Sequence, residues 1–259
     1  MPELPDLEIF SRNLEQHLKG KQLKEIVVKN SKKLNVSVKE LNLSLQNQKI
    51  INVSRSGKEL YFEFENNAIL SLHMMLKGEL HLLKKEESPK HVIMEMHFQD
   101  GMRFCLSDFQ GMAKAALNPV EDQAPDALAN EIDEHFFKKI FASKKAAVKN
   151  VLLDQHIIRG IGNAYADEIL WEAGISPFSA ASKIPDAKLK DLAKAVRHVL
   201  KNAVEQISRT HPAIISGEVR DFLKIHSSKK THSPSGVPII IVKTGARKTY
   251  YTEEQEIFN

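Results

Sequence analysis

Residues 152–177 read LLDQHIIRGIGNAYADEILWEAGISP, and the centre of this stretch decides what kind of chain this is. A helical pattern ends near Ile158. Arg159-Gly160-Ile161-Gly162-Asn163 then makes a tight double turn, and a second helical pattern starts at once. Two glycines let the backbone come close to a ligand. Asn163 stands where an N-cap is expected, its amide beside the exposed N–H groups of a helix start, a place that favours an anion. A helix-turn-helix hairpin packed only on itself has the same pattern, so this stretch alone leaves both readings open.

Downstream and immediately upstream the periodicity is helical: DEHFFKKIFAS, AAVKNVLLDQHII and the long PDAKLKDLAKAVRHVLKNAVEQIS, with Leu189, Leu192, Ala193, Val196, Leu200, Val204 and Ile207 on one face. Further upstream the pattern changes. An amphipathic helix is expected from about Pro5 to Leu18, followed by short apolar runs: LKEIVVKN, KIINVSRSG, ELYFEFENN, AILSLHMML, GELHLL, HVIMEMHFQDG and MRFCLSD. Several alternate with period two, as in Tyr61, Glu63 and Glu65 against Phe62 and Phe64, and Asn66-Asn67 and Asp100-Gly101 are hairpin-turn signals. Many short strands at this spacing predict a sandwich or barrel. Between the two regions, residues 118–133 are rich in proline and acids and read as a linker. At the far end, PIIIVKTGARKTYYT reads as strand, turn, strand.

The chain has 259 residues, enough for two domains, with 42% hydrophobic and 27% charged residues. No apolar run approaches the length of a membrane helix. MPELPDLEIF places prolines and acids where a signal peptide would carry positive charge, and Cys105 is the single cysteine, so no internal disulfide and no thiolate zinc site can form. These features point to the cytoplasm. Charge is concentrated rather than spread. Arg220 to Tyr251 holds seven Lys/Arg against the lone acid Asp221, a plausible footprint for a phosphate backbone.

Pro2 carries a chemical possibility of its own. If Met1 is removed, Pro2 presents a secondary amine whose pKa, near ~7.7–8, leaves a useful fraction unprotonated at neutral pH. Such an amine can attack a sugar C1′ and form an imine. Glu3 beside it could move the protons.

MPELPDLE resembles the N-terminus of the formamidopyrimidine-DNA glycosylase / endonuclease VIII family, and LLDQHIIRGIGNAYADEILWEAGISP resembles its helix-two-turns-helix signature. The similarity runs through essentially the whole chain. It implies an α+β, multidomain fold: an N-terminal β-sandwich with a flanking helix (1–117), the linker (118–133), a helical helix-two-turns-helix domain (134–222) and a β-hairpin finger (223–259). It also implies a bifunctional glycosylase and abasic-site lyase in which Pro2 is the nucleophile and Glu3 the general acid/base. Lys58 in SRSGKELYFEF, Asn163, and Arg247 in TGARKTYY fall on phosphate-gripping positions, Lys58 and Arg247 belonging also to the catalytic set. Lys149 falls on another basic position of the pattern. Such contacts place DNA without reading its sequence. Leu76 in HMMLKG would be the wedge that fills the stack when a nucleotide is extruded, and Gln110 and Met112 in LSDFQGMAK would face the orphaned base.

The chain departs from the family in three places. Where two cysteine pairs usually hold zinc, it has His232, Ser235, Thr252 and Gln255, so a finger without zinc is expected, held by Ile239 to Val242, Tyr250 and Tyr251, and no metal or other cofactor is called for. Gln110 replaces the usual arginine, and Met112 a phenylalanine, which implies altered or relaxed reading of the opposite base. The loop that covers an everted 8-oxoguanine is missing between Arg220-Asp221-Phe222 and the finger, which implies an open pocket and poor selectivity for that lesion. The expected partner is double-stranded DNA containing damaged bases or abasic sites, bound by a monomer, with no membrane. The alternatives are a damaged-DNA binding protein without catalysis, and an abasic-site lyase with little glycosylase activity.

Overall fold

A computed structural model describes residues 1–84, 89–120, 123–245 and 247–259. The chain divides into two compact units, Met1–Glu121 with Ile207–Glu218, and Asp122–Gln206 with Val219–Asn259.

In the first unit, α1 (Leu4–Leu18) is followed by β1 (Leu23–Val28), α2 (Val38–Leu45), β2 (Ile50–Ser56), β3 (Glu59–Phe64), β4 (Ile69–His73), β5 (Gly78–Leu83), β6 (Val92–Phe98), β7 (Arg103–Asp108) and β8 (Lys114–Leu117). They form two antiparallel four-stranded sheets, β1-β6-β7-β5 and β2-β3-β4-β8. The alternation read in ELYFEF holds. Leu60, Phe62 and Phe64 are buried, and the Phe62 ring lies 5.4 Å from that of Phe104 on the other sheet. Each such side chain withdrawn from water stabilises by roughly 1.5–3 kcal/mol. Phe10, Leu14 and Leu18 of α1 join the same core. The hairpin turns sit at Asn67 and Gly101, with φ 65° and 85°.

Two elements escape the sequence pattern. The helix α2 is short, started by the Ser37 hydroxyl accepting from the Glu40 N–H at 3.1 Å and held by Leu41 and Leu45 in the core. The strand β8 is KAAL, whose alanines give almost no β signal; its pairing with β4 makes it a strand.

The second unit contains α3 (Glu134–Phe141), α4 (Val148–Leu153), α5 (Asn163–Glu172), most of α6 (Asp186–Thr210), and the hairpin β9 (Ile240–Thr244) and β10 (Arg247–Tyr251). Leu189, Leu192, Val196, Leu200, Val204 and Ile207 of α6 are buried, as its periodicity predicts.

The expected linker needs correction. Residues 121 and 122 lie outside the described residues. Beyond them the segment is built into the second unit, because Arg159 takes up its backbone: Nε donates to the Ala124 carbonyl at 2.7 Å, its N–H to the Pro125 carbonyl at 2.8 Å, and its carbonyl accepts from Ala127 at 2.8 Å. Ala124, Ala127 and Ile132 are buried there. Small alanines leave a weak apolar signal in the sequence, yet they pack closely. The expected helical domain (134–222) is likewise interrupted, since Ile207–Glu218 belongs to the first unit. Asn13 Nδ2 donates to the Ile214 carbonyl at 2.7 Å, and Leu80 N–H to the Ser216 hydroxyl at 2.9 Å.

Candidate active site

The first unit holds Pro2, Glu3, Lys58, Leu76, Gln110 and Met112. Pro2 and Glu3 are buried at the start of α1, where the Glu3 N–H donates to the Asp6 carboxylate at 2.9 Å and the Asp6 N–H to the Glu3 carbonyl at 3.0 Å. Pro5, in the first turn, costs the helix no hydrogen bond. The Met1 amine pairs with the Glu218 carboxylate. While Met1 is attached, the Pro2 nitrogen is an amide and carries no nucleophilic lone pair. Lys58 sits in the Gly57-Lys58 turn between β2 and β3 rather than on a strand. That turn is tied to α1 by Arg55, which sequence reasoning missed. Its nearly buried guanidinium donates to Glu8 at 2.8 Å and to the Gly57 carbonyl at 3.3 Å.

Leu76, Gln110 and Met112 lie on two loops at one end of this unit. The register pairs Gly78 with Asp108 across β5 and β7, and His73 with Lys114 across β4 and β8, so loops 74–77 and 109–113 both bridge the sheets at that end. Leu76 is 57% exposed and Met112 41%, so neither is a core residue. Gln110 is exposed. Gly78 closes the first loop at a close approach: a Cβ there would lie 2.4 Å from the Met74 carbonyl oxygen. The Asp108 carboxylate organises the second loop, accepting from the N–H groups of Gln110, Met112 and Ala113 at 2.7–2.9 Å.

His73 at the base of the first loop is a further residue the sequence did not single out. Its Nδ1 accepts the Met75 N–H at 2.9 Å, which puts the neutral ring's proton on Nε2. Burial, reinforced by Lys114 and Lys58, lowers its pKa to about 4, so the ring is neutral at physiological pH.

The second unit gathers Lys149, Asn163 and Arg247. Gly162, not Asn163, is the N-cap of α5; Asn163 is its first helical residue. The Asn163 Nδ2 donates to the Lys248 carbonyl at 2.9 Å, fixing the amide orientation, and leaves Oδ1 buried without a hydrogen-bond partner among the described residues. Arg247 opens β10 with an exposed side chain. Lys149 is where the structure corrects the sequence. Its ammonium is buried, 2.6 Å from Asp167 and 2.8 Å from the Thr249 hydroxyl, because α4 packs its inner face against α5 and β10. It is a strut inside the protein rather than a surface cation. Asp167, fully buried, also accepts from the Tyr250 N–H at 3.0 Å and lies 2.7 Å from His226 Nδ1. One carboxylate thus holds α4, α5, β10 and residue 226 together. Sequence reasoning missed it because ADEIL reads as an ordinary helix face.

Comparison with known proteins matches residues 1–115 to the model of the formamidopyrimidine-DNA glycosylase N-terminal domain and residues 123–212 to that of the formamidopyrimidine-DNA glycosylase H2TH domain. A formamidopyrimidine-DNA glycosylase of Carboxydothermus hydrogenoformans is 36% identical over 79% of this chain and 78% of that protein. The chain belongs to the formamidopyrimidine-DNA glycosylase family. The Escherichia coli glycosylase of that name is 29% identical over 98% of this chain and 99% of its own. Lactococcus lactis Fpg, solved with an abasic site containing DNA, shares the fold at TM-score 0.87 and 23% identity, covering 97% of this chain and 98% of that one.

The finger of this family member has a donor set that does not suit zinc. Of the four positions, Gln255 is spent on the backbone, its Oε1 accepting from Thr252 N–H at 2.9 Å and its Nε2 donating to the Ile175 carbonyl at 2.8 Å. The hydroxyls of Ser235 and Thr252 donate instead to Glu254, joined by Ser233 at 3.0 Å and the Trp171 indole N–H at 3.3 Å. His232 is exposed, its Nδ1 beside the Thr231 hydroxyl at 3.0 Å. A carboxylate hub, Glu254, thus stands among the former ligand positions. These donors, led by the Ser235 hydroxyl, hold its carboxyl below the ordinary range. Nothing in the linear order signals this, because Glu254 falls between two of the four positions, Thr252 and Gln255.

Proposed function

We propose that this chain is a base-excision DNA glycosylase that also cleaves at abasic sites, using the amine of Pro2 once Met1 has been removed. The observation that carries it is the Pro2-Glu3 pair buried at the head of α1, in a chain of this family. The Pro2 lone pair attacks C1′ of the damaged nucleotide. The glycosidic bond breaks, and the base leaves with the bonding electrons and takes up a proton. The nitrogen gives up its proton and its lone pair expels the ring oxygen O4′, which is protonated as the ring opens, leaving an iminium between nitrogen and C1′ that acidifies C2′. Loss of a C2′ proton expels the 3′ phosphate by β-elimination, a second elimination can expel the 5′ phosphate, and hydrolysis of the imine frees the amine. Glu3 donates and accepts these protons. The chemistry calls for no cofactor.

Lys58, Arg247 and Asn163 hold phosphates, Asn163 beside the amide-rich start of α5. His73, neutral with its proton on Nε2, adds a donor beside Lys58 without charge repulsion. Leu76 enters the stack, and Gln110 and Met112 meet the orphaned base. Gln110 offers both a donor and an acceptor, which suits relaxed choice of that base rather than selectivity for 8-oxoguanine.

Borohydride trapping on a duplex containing an abasic site tests this. A covalent adduct on Pro2 is expected, with intact mass showing that Met1 is gone. No adduct, or full trapping by Pro2→Gly together with loss in Lys58→Ala, refutes it. Salt-sensitive binding with no strand cleavage would point instead to a damage-binding protein, the reading favoured by the replaced ligand positions of the finger.

A further inference from the structure

Beside Leu76 and Met112 stands a third large apolar side chain in solvent, Phe109, 62% exposed and the most exposed of the three. It precedes Gln110 and has no counterpart among the residues assigned above. Its loop is not a slack one. The Asp108 carboxylate clamps the three N–H groups of Gln110, Met112 and Ala113, Gly111 adopts φ 64°, and a Cβ at that glycine would lie 3.2 Å from Asn30 Nδ2. A backbone fixed this firmly presents a bare phenyl ring at little conformational cost, a form in which aromatic side chains make contacts.

The charges around it indicate what the ring meets. The Ala115 N–H donates to the Lys33 carbonyl at 3.3 Å, and Leu34 bridges Ala115, so the segment after β1 runs along this loop. It brings Lys29, Lys32 and Lys33, all exposed, and the loop itself leads into exposed Lys114. An exposed aromatic side chain on a loop whose neighbouring segments carry four exposed lysines matches a nucleobase with its flanking phosphates. An apolar protein patch would have no use for the lysines.

We propose that Phe109 stacks on a nucleobase of the strand opposite the extruded nucleotide, and that it sets which opposite base is preferred. The aromatic contact has thus moved to 109 in a chain where Met112 offers none. This inference rests on the activity proposed above.

The test uses duplexes carrying a tetrahydrofuran abasic analogue opposite each of the four bases, with affinity measured by anisotropy at several salt concentrations. Phe109→Ala should weaken binding about 5- to 150-fold, the range for loss of one base–aromatic stack of ~1–3 kcal/mol. It should flatten the ranking of opposite bases and leave the salt slope unchanged, since no phosphate contact is lost. Phe109→Trp should keep both affinity and ranking, and neither variant should shift the melting temperature. Wild-type affinity and ranking in Phe109→Ala overturn the proposal, as does a loss that appears only as a shallower salt slope. Borohydride trapping of the wild type separates the two levels: a wild type that forms no adduct removes the proposed activity and this inference together, whereas a wild type that forms the adduct, with Phe109→Ala keeping its affinity and ranking, removes this inference alone.

Discussion

Replacing Asp167 with alanine should unfasten the finger hairpin from the helices. Asp167 is fully buried and lies 2.6 Å from the Lys149 ammonium, which has 7% of its side chain exposed. Its removal takes the buried carboxylate from that cation, which keeps the Thr249 hydroxyl at 2.8 Å and the Lys248 carbonyl at 3.5 Å, and takes the acceptor from the Tyr250 N–H. Breaking a buried pair by deleting one partner destabilises by about 3–5 kcal/mol, because the remaining charge stays desolvated. At about 2–4 °C per kcal/mol for a domain of this size class, calorimetry should show the second unit melting roughly 6–20 °C lower. Hydrogen exchange should locate the loss in β10. Affinity for an abasic duplex should fall as well, since Lys248, whose carbonyl seats Asn163, is on the strand that comes loose. The double variant Lys149→Met/Asp167→Leu separates the causes: with no lone cation to bury, it should recover most of the loss. A stability change under about 1 kcal/mol in Asp167→Ala, or a double variant as unstable as the single one, refutes the reasoning.

Three further outcomes are expected. In Gly78→Ala the new methyl meets the Met74 carbonyl oxygen, so the Leu76 loop must shift, with a loss of about 1–3 kcal/mol by thermal unfolding and weaker binding to abasic duplexes. His73, depressed from 6.5 to about 4, leaves the folded state with fewer bound protons than the unfolded chain between those values, so stability should fall as pH drops from about 6.5 to 4. The full effect is about 3 kcal/mol, and urea titrations of His73→Asn should show a shallower pH dependence. The carboxyl of Glu254 is held low, so its contribution to the finger is present above the ordinary carboxylate range and lost as pH falls through its folded pKa. Glu254→Gln should raise amide exchange around residues 232–255 at neutral pH and remove that acid sensitivity.

Most of the strands and helices are legible in the sequence, because ELYFEF alternates cleanly and the α6 stripe repeats every three to four residues. Pro2, Lys58 and Asn163 are singled out by their positions in the family pattern, and their roles stay proposals. The misses share a cause. Linear spacing cannot distinguish a lysine in solvent from one buried against a carboxylate eighteen positions away, so Lys149 read as a phosphate contact. Nor does it register alanines packed by backbone pairing, as in β8 and the segment after residue 122. His73 and Glu254 drew no notice because their importance lies in groups that meet them from other elements.

The sequence by itself determined the local conformations, the two-turn element and the kinship, since each depends on neighbouring residues whose order is the information. Only the tertiary structure decided which charges are spent inside the protein and which face outward. Burial and the partners that compensate it are set by segments distant along the chain, as when α4, α5 and β10 close on Asp167 or when two loops place Leu76 and Phe109 at one end of the sheets.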